Sequence, residues 1–86
     1  MDIERNRVTG QCLRKLRKEA RLTQTQLADR LHKTQSFVSK VENAERELSL
    51  VESFAYAEAL DASYETLIRE VCQGLRLAGL YDTPRS

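Results

Sequence analysis

Apolar residues recur along the chain at spacings of three and four, and they fall into five groups separated by polar breaks. Cys12, Leu13, Leu16 and Ala20 form the first stripe. It predicts a helix from about Thr9 to Ala20, with Thr9 as its cap. Residues 1–8 show no clear apolar period and are expected to be flexible and frayed. Leu27, Ala28 and Leu31 give a second helix, residues 24–31, a single apolar face. Thr23 with Gln26 fits the Ser/Thr-x-x-Glu/Gln capping box that opens it. His32 and Lys33 break the pattern, and Thr34 can cap a third helix, residues 35–42, whose inward side is Phe37, Val38 and Val41. Ser49 with Glu52 fits a second capping box. The helix it opens, residues 50–60, has Leu50, Val51, Phe54, Ala55, Ala57 and Leu60 as apolar positions. Asp61 and Ala62 make a turn. Ser63 then caps a helix over residues 64–75 in which Tyr64, Leu67, Ile68, Val71, Cys72 and Leu75 are helically spaced. Gly74 either ends that helix or is tolerated inside it at ~1 kcal/mol. Residues 76–86 form a tail. The pattern is all-α throughout.

The second and third helices are too short to persist alone, so each must pack on the other and on its neighbours. The outward face of the third helix carries Gln35, Ser36, Ser39 and Lys40. This row of donors and acceptors has no carboxylate, so it can hydrogen-bond base edges in a DNA major groove. Gln35 can pair with adenine in two-pronged fashion. Lys40 can donate to guanine or meet a phosphate. The competing reading of the same row is an ordinary solvated helix face. Phe37 either packs inward or sits at a protein–DNA boundary against a thymine methyl.

The stretch from Thr23 to Asn43, TQTQLADRLHKTQSFVSKVEN, resembles the helix-turn-helix family of lambda repressor and Cro, the XRE family. The likeness covers roughly Leu13 to Ile68 and is most specific in QSFVSKVEN and the loop that ends at Arg46. It implies an all-α, five-helix, lambda-repressor-like domain. In that family a glutamine opens each of the two helices, and Gln24 and Gln35 match. Some members tie helix 1 to the end of helix 3 with a buried arginine–glutamate pair, which Arg17 and Glu42 match; the alternative for Arg17 is direct contact with DNA. Asn43 matches an asparagine that often holds a phosphate. The resemblance thus implies that Gln24, Thr34, Asn43 and Arg46 position the protein on phosphates while Gln35, Ser36, Ser39 and Lys40 read bases. Three glycines common in the family are absent here: His32 and Lys33 occupy the turn, Ala44 follows Asn43, and Asp61 follows helix 4.

Composition narrows the choice of function. Eighty-six residues allow one domain at most. No run approaches the ~18 apolar residues of a membrane span. The charged opening MDIERNRVTG lacks a signal-peptide core. A cytoplasmic location without membrane contact is therefore expected. Net charge is only +1, but residues 1–22 carry seven basic and three acidic side chains, net +4, while residues 47–86 carry three and seven, net −4. Such asymmetry orients a protein in the field of a polyanion, although it is also what helix solubility requires. Cys12 and Cys72 are sixty residues apart without a CxxC, which fits core thiols better than a redox switch. The single His has no ligand cluster around it, so no metal or other cofactor is expected. No phosphate loop, nucleophile motif or paired catalytic carboxylates can be recognised, and enzyme activity is not expected.

Val71, Cys72, Leu75, Leu77, Leu80 and Tyr81 exceed what a five-helix domain ending near Ile68 needs. They are either cover for their own domain or a homodimer contact, and the dimer is the expectation. The function expected is sequence-specific binding of double-stranded DNA by a homodimeric transcriptional repressor at a pseudo-palindromic operator. The alternatives are an antitoxin that binds DNA and neutralises a partner toxin, a controller protein of a restriction–modification system, and a protein-interaction module that keeps the fold without binding DNA.

Overall fold

The computed structural model describes residues 2–82. Met1 and residues 83–86, parts of the expected flexible start and tail, lie outside the described residues. Five helices follow one another: α1 (Ile3–Glu19), α2 (Gln24–Leu31), α3 (Gln35–Glu42), α4 (Leu50–Ala59) and α5 (Tyr64–Leu77). Side-chain caps start all five. Thr23 and Gln26 make a full capping box on α2, and Ser49 and Glu52 make one on α4. Thr34 accepts from the Phe37 amide, and Ser63 from the Thr66 amide. Each such cap satisfies an amide that the helix itself cannot, worth about 1 kcal/mol.

The start of α1 differs from the expectation. It lies at Ile3, six residues before Thr9, because Asp2 caps it by accepting from the Arg5 amide at 3.1 Å. The added turns lack an apolar stripe of their own. They are held instead by polar links, chief among them Arg5 Nε donating to the Leu80 carbonyl at 3.0 Å. α5 also runs further, to Leu77, straight through Gly74. A Cβ at Gly74 would lie 2.5 Å from Cys12 Sγ, so the glycine lets α5 and α1 close on each other.

α1 packs on α5 and α3, α2 on α3 and α4, and α4 on α5. The core between them is Leu13, Leu27, Ala28, Val38, Val41, Tyr56, Ala57, Ala59, Leu60 and Leu67. A fully buried Leu or Val among these contributes roughly 1.5–3 kcal/mol. At Gly10 a Cβ would come within 2.5 Å of the Glu42 carbonyl oxygen, so α1 crosses the end of α3 almost backbone to backbone.

Helix α4 buries Ala57 and Leu60 of its expected apolar positions but leaves its first turns outward. Tyr56, Ala57, Ala59 and Leu60 are buried, whereas Leu50, Val51 and Phe54 are 69%, 76% and 47% exposed. The helix is apolar nearly all round, so its spacing does not select one side. The surplus apolar residues of α5 and the tail are mostly spent within the chain. Val71, Cys72, Leu75, Leu80 and Tyr81 are half-buried, and Leu77 alone of that set is largely exposed, at 84%.

Candidate nucleic-acid interface

α2 and α3 are joined by a turn in which His32 takes the left-handed conformation, φ 56°. The backbone amide of Lys33 there donates to the Ala28 carbonyl at 2.9 Å, closing the end of α2. This puts a histidine where the family resemblance implies glycine. The turn also brings the first residues of α2 and α3 side by side. Gln35 Nε2 donates to Gln24 Oε1 at 2.6 Å, and Gln24 Nε2 donates to Glu42 Oε1 at 3.0 Å. Arg17 Nε meets Glu42 Oε2 at 2.6 Å and Arg17 Nη2 meets Oε1 at 3.1 Å, a two-pronged pair. Arg17 Nη1 completes the set by donating to the Leu22 carbonyl at 2.8 Å.

Arg17 and Glu42 are 7% and 6% exposed, so the ion pair belongs to the interior. The hydrogen bond to Glu42, ahead of the opposing cost of burial, raises the Arg17 pKa above its ordinary value and keeps it charged. A buried pair of this kind needs further hydrogen-bond partners, and here Leu22 gives one to Arg17 and Gln24 one to Glu42. The pair therefore anchors a chain of hydrogen bonds that ends at the side chain of Gln35. Gln35 keeps its carbonyl oxygen and one amide hydrogen for an outside partner, the acceptor-and-donor set that pairs with adenine.

The rest of the expected face is arranged around this. Ser36 and Lys40 are exposed, Ser39 is half-buried, and Asn43 Nδ2 donates to Ser39 Oγ at 3.3 Å. Thr34 is exposed and occupied as the α3 cap. Phe37 packs partly against the core, with the Arg46 guanidinium 4.8 Å and Lys33 Nζ 5.4 Å from its ring centre. Arg46 is also engaged: Nη1 and Nη2 meet the Glu52 carboxylate at 3.0 and 2.7 Å, and Nη1 donates to the Glu47 carbonyl.

Two features of the site escape a reading of the sequence. Glu52 carries the signature of a helix cap, and nothing in its six-residue spacing from Arg46 signals a salt bridge. Tyr56 is wholly buried near the ion pair, and its hydroxyl meets no hydrogen-bond partner among the described residues. Burial, then the nearby Glu42 charge, pushes its phenol well above the usual tyrosine range. Among the described residues no group of three or more His, Cys, Asp or Glu could hold a metal, and no helix is long and apolar enough to cross a membrane.

Comparison with known proteins places this arrangement. A helix-turn-helix family model matches residues 13–67. No curated protein matches the sequence. Among solved structures, the restriction-modification controller protein C.AhdI from Aeromonas hydrophila is similar at 35% identity and a TM-score of 0.72, over 78% of this chain and 99% of that one. An XRE-family like protein from Pseudomonas syringae pv. tomato has 35% identity and a TM-score of 0.70, over 79% and 83%. The clp gene regulator ClgR from C. glutamicum shares the fold, with a TM-score of 0.76 at 22% identity over 83% and 92%. The chain belongs to the XRE family of helix-turn-helix DNA-binding regulators.

Proposed function

We propose that the protein is a transcriptional regulator that reads double-stranded DNA with the outer face of α3, as a homodimer on a pseudo-palindromic site, and represses by occupying a promoter. The observation that carries this reading is the state of Gln35. It is exposed, it opens α3, and the Gln24–Glu42–Arg17 chain holds its amide with one donor and one acceptor free. Ser36, Ser39 and Lys40 extend the same carboxylate-free face toward base edges. Gln24, Thr34, Asn43 and Arg46 flank it, where phosphates would pass. The amino ends of α2 and α3 add free amides and positive dipole ends to that contact. Arg17 is assigned to holding the fold and not to DNA. No cofactor, catalytic step or membrane contact enters this function.

The dimer is proposed through α4 and α5. Leu50, Val51, Phe54 and Ile68 are the large apolar side chains most exposed on that side, and Phe54 stacks on Tyr64 with ring centres 4.0 Å apart. The contact expected from the sequence, Val71, Cys72, Leu75, Leu77, Leu80 and Tyr81, stays as the alternative dimer surface; Leu77 is exposed there and the others are half-buried. Two-fold symmetry would then set two copies of α3 about 34 Å apart, one turn of the duplex.

A narrower second reading is a controller of a restriction–modification system. The 35% identity to C.AhdI over nearly all of that protein favours it, and methylase or nuclease genes beside this one would support it. The test of the main reading is selection of bound duplexes from a random pool at two salt concentrations. A two-fold symmetric motif is expected, with affinity falling steeply as salt rises. Weak binding without any motif would remove the reading role from α3.

A further inference from the structure

The loop between α3 and α4 carries Arg46, the residue proposed to meet the phosphate backbone, yet both of its terminal nitrogens are already engaged within the chain. The two terminal nitrogens lie parallel against the two oxygens of Glu52, at 3.0 and 2.7 Å. This fork is the geometry that a guanidinium presents to a phosphate. The Arg46 guanidinium sits over the ring of Phe37, on α3 itself. The Arg46 and Glu52 side chains are 40% and 25% exposed, so an approaching phosphate can reach the pair.

The carboxylate is held in place by more than Arg46. Glu52 Oε1 also accepts from the Ser49 amide at 2.8 Å, and the Glu52 amide donates to Ser49 Oγ at 3.0 Å. When Arg46 turns away, Glu52 therefore stays behind as a fixed negative charge at the start of α4. The Ser49 amide first, and the Arg46 fork after it, hold this carboxyl below the usual Glu range, so it remains ionised at working pH.

We propose that Glu52 holds Arg46 as an intramolecular stand-in for a DNA phosphate, and so sets the strength and salt dependence of DNA binding. The inference rests on the DNA-binding reading above and on Arg46 as a phosphate contact within it. Arg46 reaches the duplex by exchanging one anion for another. An exposed ion pair is weak, so the exchange lowers affinity by a factor of about two to five without preventing binding. A cation placed on a phosphate releases a counterion from DNA. Because Glu52 is left bare, it takes back part of that gain, and Arg46 adds less than its full increment to the salt slope.

Glu52→Gln separates the charge from the cap, since glutamine at this position still completes a capping box. Binding to a fluorescein-labelled duplex carrying the selected motif is measured across a salt series for the parent, Glu52→Gln, Arg46→Ala and the double variant. Glu47→Gln serves as a neighbour of equal charge change. The expected result is about two- to five-fold tighter binding by Glu52→Gln and a salt slope steeper by up to ~0.9. That gain disappears in the Arg46→Ala background and is not matched by Glu47→Gln. Unchanged or weaker binding by Glu52→Gln overturns the proposal. A gain that survives in the Arg46→Ala background overturns it too, as mere removal of negative charge. If Arg46→Ala alone changes neither affinity nor slope, Arg46 has no phosphate role and the proposal falls, while the reading face of α3 stands untouched.

Discussion

Arg21, His32, Ala44 and Asp61 all sit at φ between 55° and 61°, just past the ends of α1 to α4. The left-handed conformation lets the chain reverse and return amides to the last carbonyls, as when Ala44 N reaches Val41 O at 3.2 Å and Glu45 N reaches Lys40 O at 2.8 Å. An L residue is strained there by about 1–2 kcal/mol, and glycine is not. Ala44→Gly should therefore stabilise the fold by about 0.5–1 kcal/mol after allowance for the looser unfolded chain. A thermal melt several degrees above the parent checks this. Tyr56 makes a second residue-scale case. Its folded pKa is raised by burial, so the stability linked to its proton is complete below the unfolded value of about 10 and is lost as pH rises above it. Tyr56→Phe removes that loss and also removes a buried hydroxyl that has no partner among the described residues. We expect it to match or exceed the parent by about 1 kcal/mol at neutral pH. Melts between about pH 8 and 11 should show the parent falling away faster than the variant.

At the scale of elements, the Arg17–Glu42 pair joins α1 to α3, and Gln24 brings α2 into the same set of hydrogen bonds. Glu42→Ala strands a buried guanidinium and should cost about 3 kcal/mol or more. A melting curve identical to the parent's would show that the pair is dispensable. The caps at Thr23, Thr34, Ser49 and Ser63 were readable because each is a local rule of side-chain oxygen and free amide. The link from Gln24 to Gln35 was not, although their spacing was plain, because it depends on how the turn at His32 folds α3 back on α2. The early start of α1 was hidden for a similar reason. Its first turns are held by Asp2 and by a carbonyl at Leu80, seventy-five residues from Arg5, and not by an apolar stripe of their own.

At the scale of the molecule, the family and the five-helix order were legible, since both rest on periodicity and motif spacing. The face that α4 turns outward was not. Leu50, Val51 and Phe54 look as buriable as Tyr56 and Leu60, and only the positions of α2 and α5 decide between them. That outward face carries the dimer proposal. Val51→Asp with Phe54→Asp should yield a folded monomer, because neither side chain belongs to the core. Sedimentation with an unchanged circular dichroism spectrum tests it. A dimer that survives both substitutions would place the contact elsewhere, with exposed Leu77 the next position to change.

Gln35, held by Gln24, is the residue proposed to read sequence. The most direct test is the affinity ratio between the selected duplex and a scrambled duplex of the same length, measured for the parent and for Gln35→Ala. Loss of a two-pronged base contact costs about 1–3 kcal/mol of discrimination. The ratio should therefore fall by roughly 5- to 150-fold, while binding to the scrambled duplex changes little. An unchanged ratio would contradict the account and leave Gln35 as part of a solvated helix face.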